Sequence, residues 1–135
     1  MPPTEPYTPD DSWPEKFRCA FRGLRRGVRG QKSFLAHFAL AAAVVVCAAL
    51  MRVSLLEWCI LLSSITVVLT AEMLNSALEW MARAISDEEH DYLGTALDIG
   101  AAAVLIASLG ASLVGLIVFL HRLGVLLGWW TNLLR

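Results

Sequence analysis

The sequence predicts an all-α integral membrane protein, with an N-terminal amphipathic surface helix followed by three transmembrane helices. Composition is the first reason. Of 135 residues, 57% are hydrophobic and 17% charged, and the mean hydropathy is +0.60. A soluble domain is roughly 45–50% apolar and about 25% charged. The second reason is a set of three long apolar runs. The third is charge placement: seven of the eleven Lys and Arg (Lys16, Arg18, Arg22, Arg25, Arg26, Arg29 and Lys32) precede residue 33. Together these exclude a water-soluble globule and a disordered chain, and the length suits about one domain. Cys19, Cys47 and Cys59 are odd in number and lack metal-ligand spacing. They are expected to be reduced packing residues with no disulfide framework.

Residues 1–12 hold Pro2, Pro3, Pro6 and Pro9 and are expected to form a flexible tail. Residues 13–32 are expected to form the surface helix. Ser12 is placed to cap it, with Pro14 near the first position and Glu15 three residues on, the pattern of a capping box. Phe17, Phe21, Leu24 and Val28 recur at spacings of four, three and four, and arginines cover the remaining faces. Such a helix suits a membrane surface, with apolar side chains in the interface and arginines, Arg22 and Arg25 among them, at lipid phosphates. A solvated face or a nucleic-acid contact is the alternative for a basic stretch. The adjoining apolar run favours the membrane, and no nucleic-acid partner is expected.

Residues 33–135 are expected to form a three-helix transmembrane unit, with spans at about 33–51, 55–85 and 96–120. A spanning helix needs about 20 apolar residues at 1.5 Å each. The second run is longer, roughly 46 Å as a helix, so one end should project beyond a hydrocarbon core of about 30 Å. The first apolar run is too long and begins too late for a cleavable signal peptide. Lys/Arg excess stays cytoplasmic, which places the N-terminus and the loop from Ser86 to Asp98 inside. The turn near Arg52 and the C-terminus are then outside, with Trp58 and the Trp129–Trp130 pair at the outer interface. The chain is expected to be a multi-pass membrane protein with a cytoplasmic N-terminus. Ala103, Ala107, Ala111 and Gly115 recur every fourth residue, a ladder that lets helices approach closely in lipid.

Glu72, Asn75 and Glu79 are the informative residues. At 100° per residue they share an arc of about 60° on the half of an apolar helix expected nearest the cytoplasm. An acid inside the membrane costs on the order of 3 kcal/mol, so two on one stripe are hard to explain by packing. Asp98, expected to open the third span on the same side, completes a polar patch. Plainer roles exist for each. Glu79 and Arg83 have the spacing of a surface ion pair. Thr95 and Asp98 mimic a capping box, and Asn75 can bond another helix. Glu72 is the least easily explained this way. Glu57 reads as a solvated end residue, and Asp87, Glu88, Glu89 and Asp91 as a solvated acidic loop. His37, His90 and His121 are scattered, with no metal-ligand spacing.

The sequence has no nucleophile elbow, Walker loop, Cys/His cluster or glycine-rich phosphate cradle. Carboxylates near water suit Mg²⁺, which prefers oxygen ligands and keeps waters and substrate phosphates. A carboxylate just inside the membrane could take a proton from a lipid hydroxyl, and phosphoryl transfer needs little more than positioning, a metal, a base and charge stabilisation. A proton relay or ion pathway uses the same residue types, and the pattern leaves both open.

Residues 71–79, Ala-Glu-Met-Leu-Asn-Ser-Ala-Leu-Glu, resemble the signature of the prokaryotic diacylglycerol kinase family, which includes the undecaprenol kinases. Residues 98–105, Asp-Ile-Gly-Ala-Ala-Ala-Val-Leu, resemble its second block, and Phe21-Arg22-Gly23-Leu24-Arg25 also looks like the family's. The resemblance covers roughly residues 16–121. It implies an ATP- and Mg²⁺-dependent lipid kinase, acting on diacylglycerol to give phosphatidic acid or on undecaprenol. It also implies a homotrimer with active sites between subunits. By position, Glu72 corresponds to the general base and Asn75 to a residue placing the reacting groups. Glu79 corresponds to a ligand of Mg²⁺–ATP, Asp98 to support for phosphates and metal, and Glu88 to a nucleotide contact. The sequence departs from the family at two positions. Leu97 stands where the family usually has a lysine, and Gln31 where it has a metal-binding glutamate. Gln31 still offers a neutral oxygen to Mg²⁺, and Arg83, one turn past Glu79, can supply the missing positive charge. His37 resembles the residue of many undecaprenol-kinase-like members. The two departures also motivate the alternative of a degenerate, non-catalytic assembly or lipid-binding protein.

Overall fold

A computed structural model describes residues 12–29, 32–85 and 91–129. They form four helices: α1 (Trp13–Val28), α2 (Lys32–Leu50), α3 (Leu55–Ile85) and α4 (Asp91–Leu126). The last three are long and apolar enough to cross a membrane. The protein is therefore an all-α membrane protein with one shorter helix before three spanning ones.

α1 begins on a backbone bond from Lys16 N to the Ser12 carbonyl, with Pro14 in its first turn, where a missing N–H costs nothing. The capping box expected from Ser12 and Glu15 is not formed, because the Ser12 side chain makes no cap hydrogen bond. Glu15 turns to the arginines instead, 2.7 Å from Arg18 and 3.9 Å from Arg22. Phe17, Phe21 and Leu24 stay exposed. α1 instead docks its small-residue face on α3, where Gly27 is buried against Met73 and a Cβ would collide with the Met73 sulfur.

α2 ends in a Schellman motif. Val53 N bonds to the Ala48 carbonyl and Arg52 N to that of Ala49, at 3.2 and 3.1 Å, with Arg52 left-handed at φ 52°. Val53 and Ala48 belong to the same buried cluster, the apolar contact that accompanies this motif. The following residues build the capping box that α1 lacks. Glu57 N donates to Ser54 Oγ (3.3 Å), and Ser54 N donates to Glu57 Oε2 (2.6 Å). Glu57 is thus a half-buried cap of α3 rather than a solvated end residue. The Ser-Leu-Leu-Glu pattern ahead of an apolar run carried that signal.

α4 reaches back to close this end of the bundle. Arg122 Nε and Nη2 donate to the carbonyls of Met51 (2.9 Å) and Arg52 (2.6 Å), and His121 Nδ1 lies 3.5 Å from Glu57 Oε1. A cation on the terminal carbonyls of a helix satisfies acceptors with no intrahelical donor and complements the helix dipole. Arg122→Ala is expected to destabilise the detergent-solubilised protein by about 2 kcal/mol, since bonds from charged donors are worth about 1.5–3 kcal/mol. Denaturant titration followed by far-UV circular dichroism measures it, and an unchanged midpoint would make the clasp energetically irrelevant.

α3 is the centre of the bundle: it packs most extensively on α4, and also on α2 and α1. The core is small. Ala48, Val53, Leu61 and Val118 form one buried cluster at the Arg52 end, flanked by Val44, Met51, Trp58, Val114 and Phe119. In the most apolar windows of the three spans only 11%, 17% and 6% of residues are buried, so most large apolar side chains face outward, as lipid or a neighbouring helix requires. Cys19, Cys47 and Cys59 are unbridged as expected, but exposed rather than packed inside the chain. In the small-residue ladder Gly115 is buried and Ala107 and Ala111 half-buried, while Ala103 faces outward.

α4 starts earlier than the apolar pattern suggests. Asp91 is its first residue, and Thr95 Oγ1 donates back to the Asp91 carbonyl at 2.8 Å. Asp98 therefore lies two turns inside the helix and does not open it, and Thr95 forms no capping box with it.

Candidate functional site

The buried residues of α3 are Leu61, Val68, Glu72, Ser76 and Ala82, which at 100° per residue share a stripe about 120° wide. The stripe is apolar near Arg52 and polar toward α1. Glu72 is 3% exposed and Ser76 1%. Burying a carboxylate this deeply on a membrane helix is unfavourable unless it has a partner. His37 of α2 provides one, with Nε2 3.9 Å from Glu72 Oε2.

Asn75 and Glu79 continue the stripe. Asn75 Nδ2 donates to Glu79 Oε1 at 3.3 Å, and Arg83 Nη2 donates to Glu79 Oε2 at 3.2 Å. Arg83 also lies over the Trp80 ring, 5.3 Å from its centroid. One run of α3 thus carries a buried acid, an amide, a half-buried acid and a fixed cation. Glu72 and Glu79 stand about 10 Å apart along the axis, seven residues at 1.5 Å.

α4 holds the amide in place by having no side chain at Gly100. A Cβ there would sit 2.5 Å from Asn75 Oδ1 and 2.9 Å from Leu78 Cδ1. Asn75 Oδ1 is buried and, among the described residues, has no hydrogen-bond partner. An orphaned acceptor beside a carboxylate is a set of hard oxygen donors, which fits Mg²⁺ better than a softer metal. Among the described residues no three His, Cys, Asp or Glu side chains converge on a metal position. Mg²⁺ does not need three, since one or two carboxylates plus substrate phosphates hold it.

An apolar groove of about 390 Å³ runs between α2, α3 and α4. Its lining residues nearest the α1 end are His37, Leu69 and Ser108. A second, more open groove lies between α1 and α3, where Arg26, Arg29 and Trp80 line its rim. Arg22 and Arg25 are exposed on α1.

The structure joins Asn75, Glu79 and Arg83 by hydrogen bonds and leaves Glu72 on the same stripe, paired with His37 instead. It does not bring Asp98 to them within one chain. Asp98 is exposed, and lies two residues, about 200°, from Gly100, which packs on Asn75. Gln31 and Glu88 lie outside the described residues. Sequence reasoning missed two participants. His37 meets Glu72 across 35 residues, a pairing that no local spacing reports. Gly100 carries no polar group to mark it, and its signal is a glycine amid alanines and valines, which hints at close approach.

Residues 18–119 match the family model for prokaryotic diacylglycerol kinase. The chain belongs to the prokaryotic diacylglycerol kinase family. Its relatives fall on both sides of that family's substrate range. It is 33% identical over 109 residues to an undecaprenol kinase of Bacillus subtilis, covering 81% of this chain and 89% of the relative. It is 32% identical over 105 residues to a diacylglycerol kinase of Escherichia coli, covering 78% and 86%. A Haemophilus influenzae diacylglycerol kinase is 29% identical over 90 residues, 67% and 76% of the two chains. The match includes most of α1, all of α2 and α3 and most of α4, so the Glu72–Arg83 stripe lies inside the shared region of this prokaryotic diacylglycerol kinase family member.

Proposed function

We propose that this chain is an ATP-dependent kinase that phosphorylates the hydroxyl of a membrane lipid, diacylglycerol to phosphatidic acid or undecaprenol to its phosphate. The observation that carries the reading is Glu72, a carboxylate 3% exposed on a spanning helix. In the reaction the lipid hydroxyl oxygen bonds to the γ-phosphorus of ATP, the bond to the β-phosphate oxygen breaks and ADP leaves. The hydroxyl proton goes to the Glu72 carboxylate. A base already in place at the apolar boundary suits a substrate whose hydroxyl lies at the membrane surface.

Asn75 aligns the reacting groups. Glu79 and the Asn75 amide oxygen would hold Mg²⁺, with Gln31 as a further neutral ligand, and Glu88 would contact nucleotide; a metal held there would supply charge neutralisation at the phosphates. Asp98 supports phosphates from a second copy, because in its own chain it faces away from Asn75. That arrangement favours a homotrimer with sites shared between subunits. Arg22 and Arg25 face lipid phosphates on a cytoplasmic α1, in a bacterial inner membrane.

The test is transfer of labelled γ-phosphate from Mg²⁺–ATP by purified protein in mixed micelles, with diacylglycerol and undecaprenol separately and in competition. Label in one lipid or both supports the reading, and competition ranks the acceptors. Nucleotide binding without label in either lipid would mean a non-catalytic protein.

Arg83 takes the role of the lysine that Leu97 replaces. It is pinned by Glu79 and Trp80 one turn beyond the proposed metal ligand, and a guanidinium binds phosphate oxygens in a fork. Arg83→Ala is expected to raise the ATP KM at least about tenfold, about 1.4 kcal/mol, and adding Leu97→Lys to restore much of it. If Arg83 only pairs with Glu79 at the surface, steady-state kinetics will show an unaltered ATP KM.

A further inference from the structure

Glu72 is paired with a residue of the apolar groove that has no role in the reaction so far. His37 projects from α2 with its side chain 19% exposed, and its Nε2 lies 3.9 Å from Oε2 of Glu72, whose side chain is 4% exposed. Of the other polar groups of the stripe, the Asn75 amide nitrogen and the Arg83 guanidinium both donate to Glu79, and Ser76 is a buried neutral hydroxyl one turn from Glu72. From α4, the polar residues lining the groove are Ser108 and Ser112. Arg122 is at the far end of the bundle on the α2 carbonyls, and Asp98 is exposed. Among the described residues, His37 is thus the ionisable partner within ion-pair distance of Glu72. The same imidazole lines the α1-side end of the apolar groove, so it touches both the carboxylate and the hydrocarbon space below it.

We infer that His37 is a positioning residue for Glu72: a ring N–H directed at Oε2 fixes the carboxylate so that Oε1 faces the acceptor hydroxyl. At 3.9 Å the two groups are close without being hydrogen-bonded, and closing the gap to a hydrogen bond requires about 1 Å, as catalytic contacts commonly tighten when substrate binds. The buried carboxylate gains a donor, which lowers the cost of keeping it out of water, and loses the rotamer freedom that would spread it over unproductive orientations. His37 transfers no proton in this scheme. The inference rests on Glu72 being the base, and label in lipid from the unaltered enzyme tests that reading first, before any variant is compared.

The experiment is a double-mutant cycle on the full chain in mixed micelles, using Mg²⁺–ATP and the better of the two lipids. His37→Leu is expected to lower kcat by on the order of 10- to 100-fold with ATP KM unchanged, and to lower the unfolding midpoint because a buried carboxylate loses its partner. His37→Gln retains a side-chain N–H donor and is expected to recover most of that loss. In a Glu72→Gln background the His37→Leu change is expected to cost less than about twofold, because a residue that acts through another has nothing left to position. His37→Phe, which also fills the groove, runs through the same cycle in case the leucine variant fails to fold. A loss of equal size with and without Glu72, or a leucine variant that turns over like the unaltered enzyme, would overturn the inference.

Discussion

Glu72→Gln is expected to lower kcat for lipid phosphorylation by about 10²–10⁴-fold, the usual worth of a positioned general base, with the ATP KM nearly unchanged. The substitution keeps shape and polarity and removes only the proton acceptor. Glu72 is also separated from the nucleotide-side groups, since Glu79 lies about two helical turns further along α3. A defect confined to the chemical step therefore shows in kcat and leaves ground-state binding of ATP intact. Glu79→Gln should do the reverse, raising the ATP and Mg²⁺ concentrations needed for half-maximal rate. Single-turnover kinetics with labelled ATP separate the two. Near-normal turnover by the Glu72→Gln enzyme would remove Glu72 from the mechanism, and the burial of that acid would then need a purely structural explanation.

The second large effect is expected at a residue with no side chain. Gly100→Ala should lower kcat/KM for ATP by about 10²-fold, the scale of a 1 Å misplacement of a reacting group. The added Cβ would lie 2.5 Å from Asn75 Oδ1, so the amide must rotate. Rotation breaks its 3.3 Å bond to Glu79 Oε1 and moves the buried amide oxygen proposed as a metal ligand. Overpacking of this kind also costs about 1–3 kcal/mol of stability, so unfolding must be measured alongside activity. Gly94→Ala on the same helix is the control. A Cβ at Gly94 meets nothing within 4 Å, and replacing a helical glycine by alanine there is expected to be neutral or to stabilise by up to about 1 kcal/mol. Equal activity in the two variants would show that Asn75 has no fixed place in the reaction.

Most of the architecture was legible because a membrane imposes strong rules on single helices. A run such as Ser33–Leu50 has few alternatives to spanning, since backbone groups in lipid must bond within the segment. Glu72 was legible for the same reason, as an acid on such a helix is costly enough to require a purpose. Local polar patterns were less dependable. Ser12 and Glu15 have the spacing of a capping box, yet nearby arginines claim Glu15. Ser54 and Glu57 have the same spacing and do form the box. Charged competitors within a turn or two decide such cases, and the spacing alone does not weigh them. The start of α4 was misplaced because the polar segment from Asp91 to Asp98 is helical without being apolar.

By itself, then, the sequence determined the number of spans, the basic arm and the acidic stripe of α3, because each depends on the periodicity or solvation cost of one helix. Tertiary structure alone decided which groups from other helices meet that stripe. His37 reaches Glu72 from 35 residues away, Arg122 closes the end of α2 from about 70 residues away, Gly100 leaves room for Asn75, and Asp98 is exposed, away from the stripe. These depend on how helix faces are paired. In lipid that pairing is set by close packing and scarce polar contacts rather than by hydrophobicity, so the apolar pattern of each helix contains little of it.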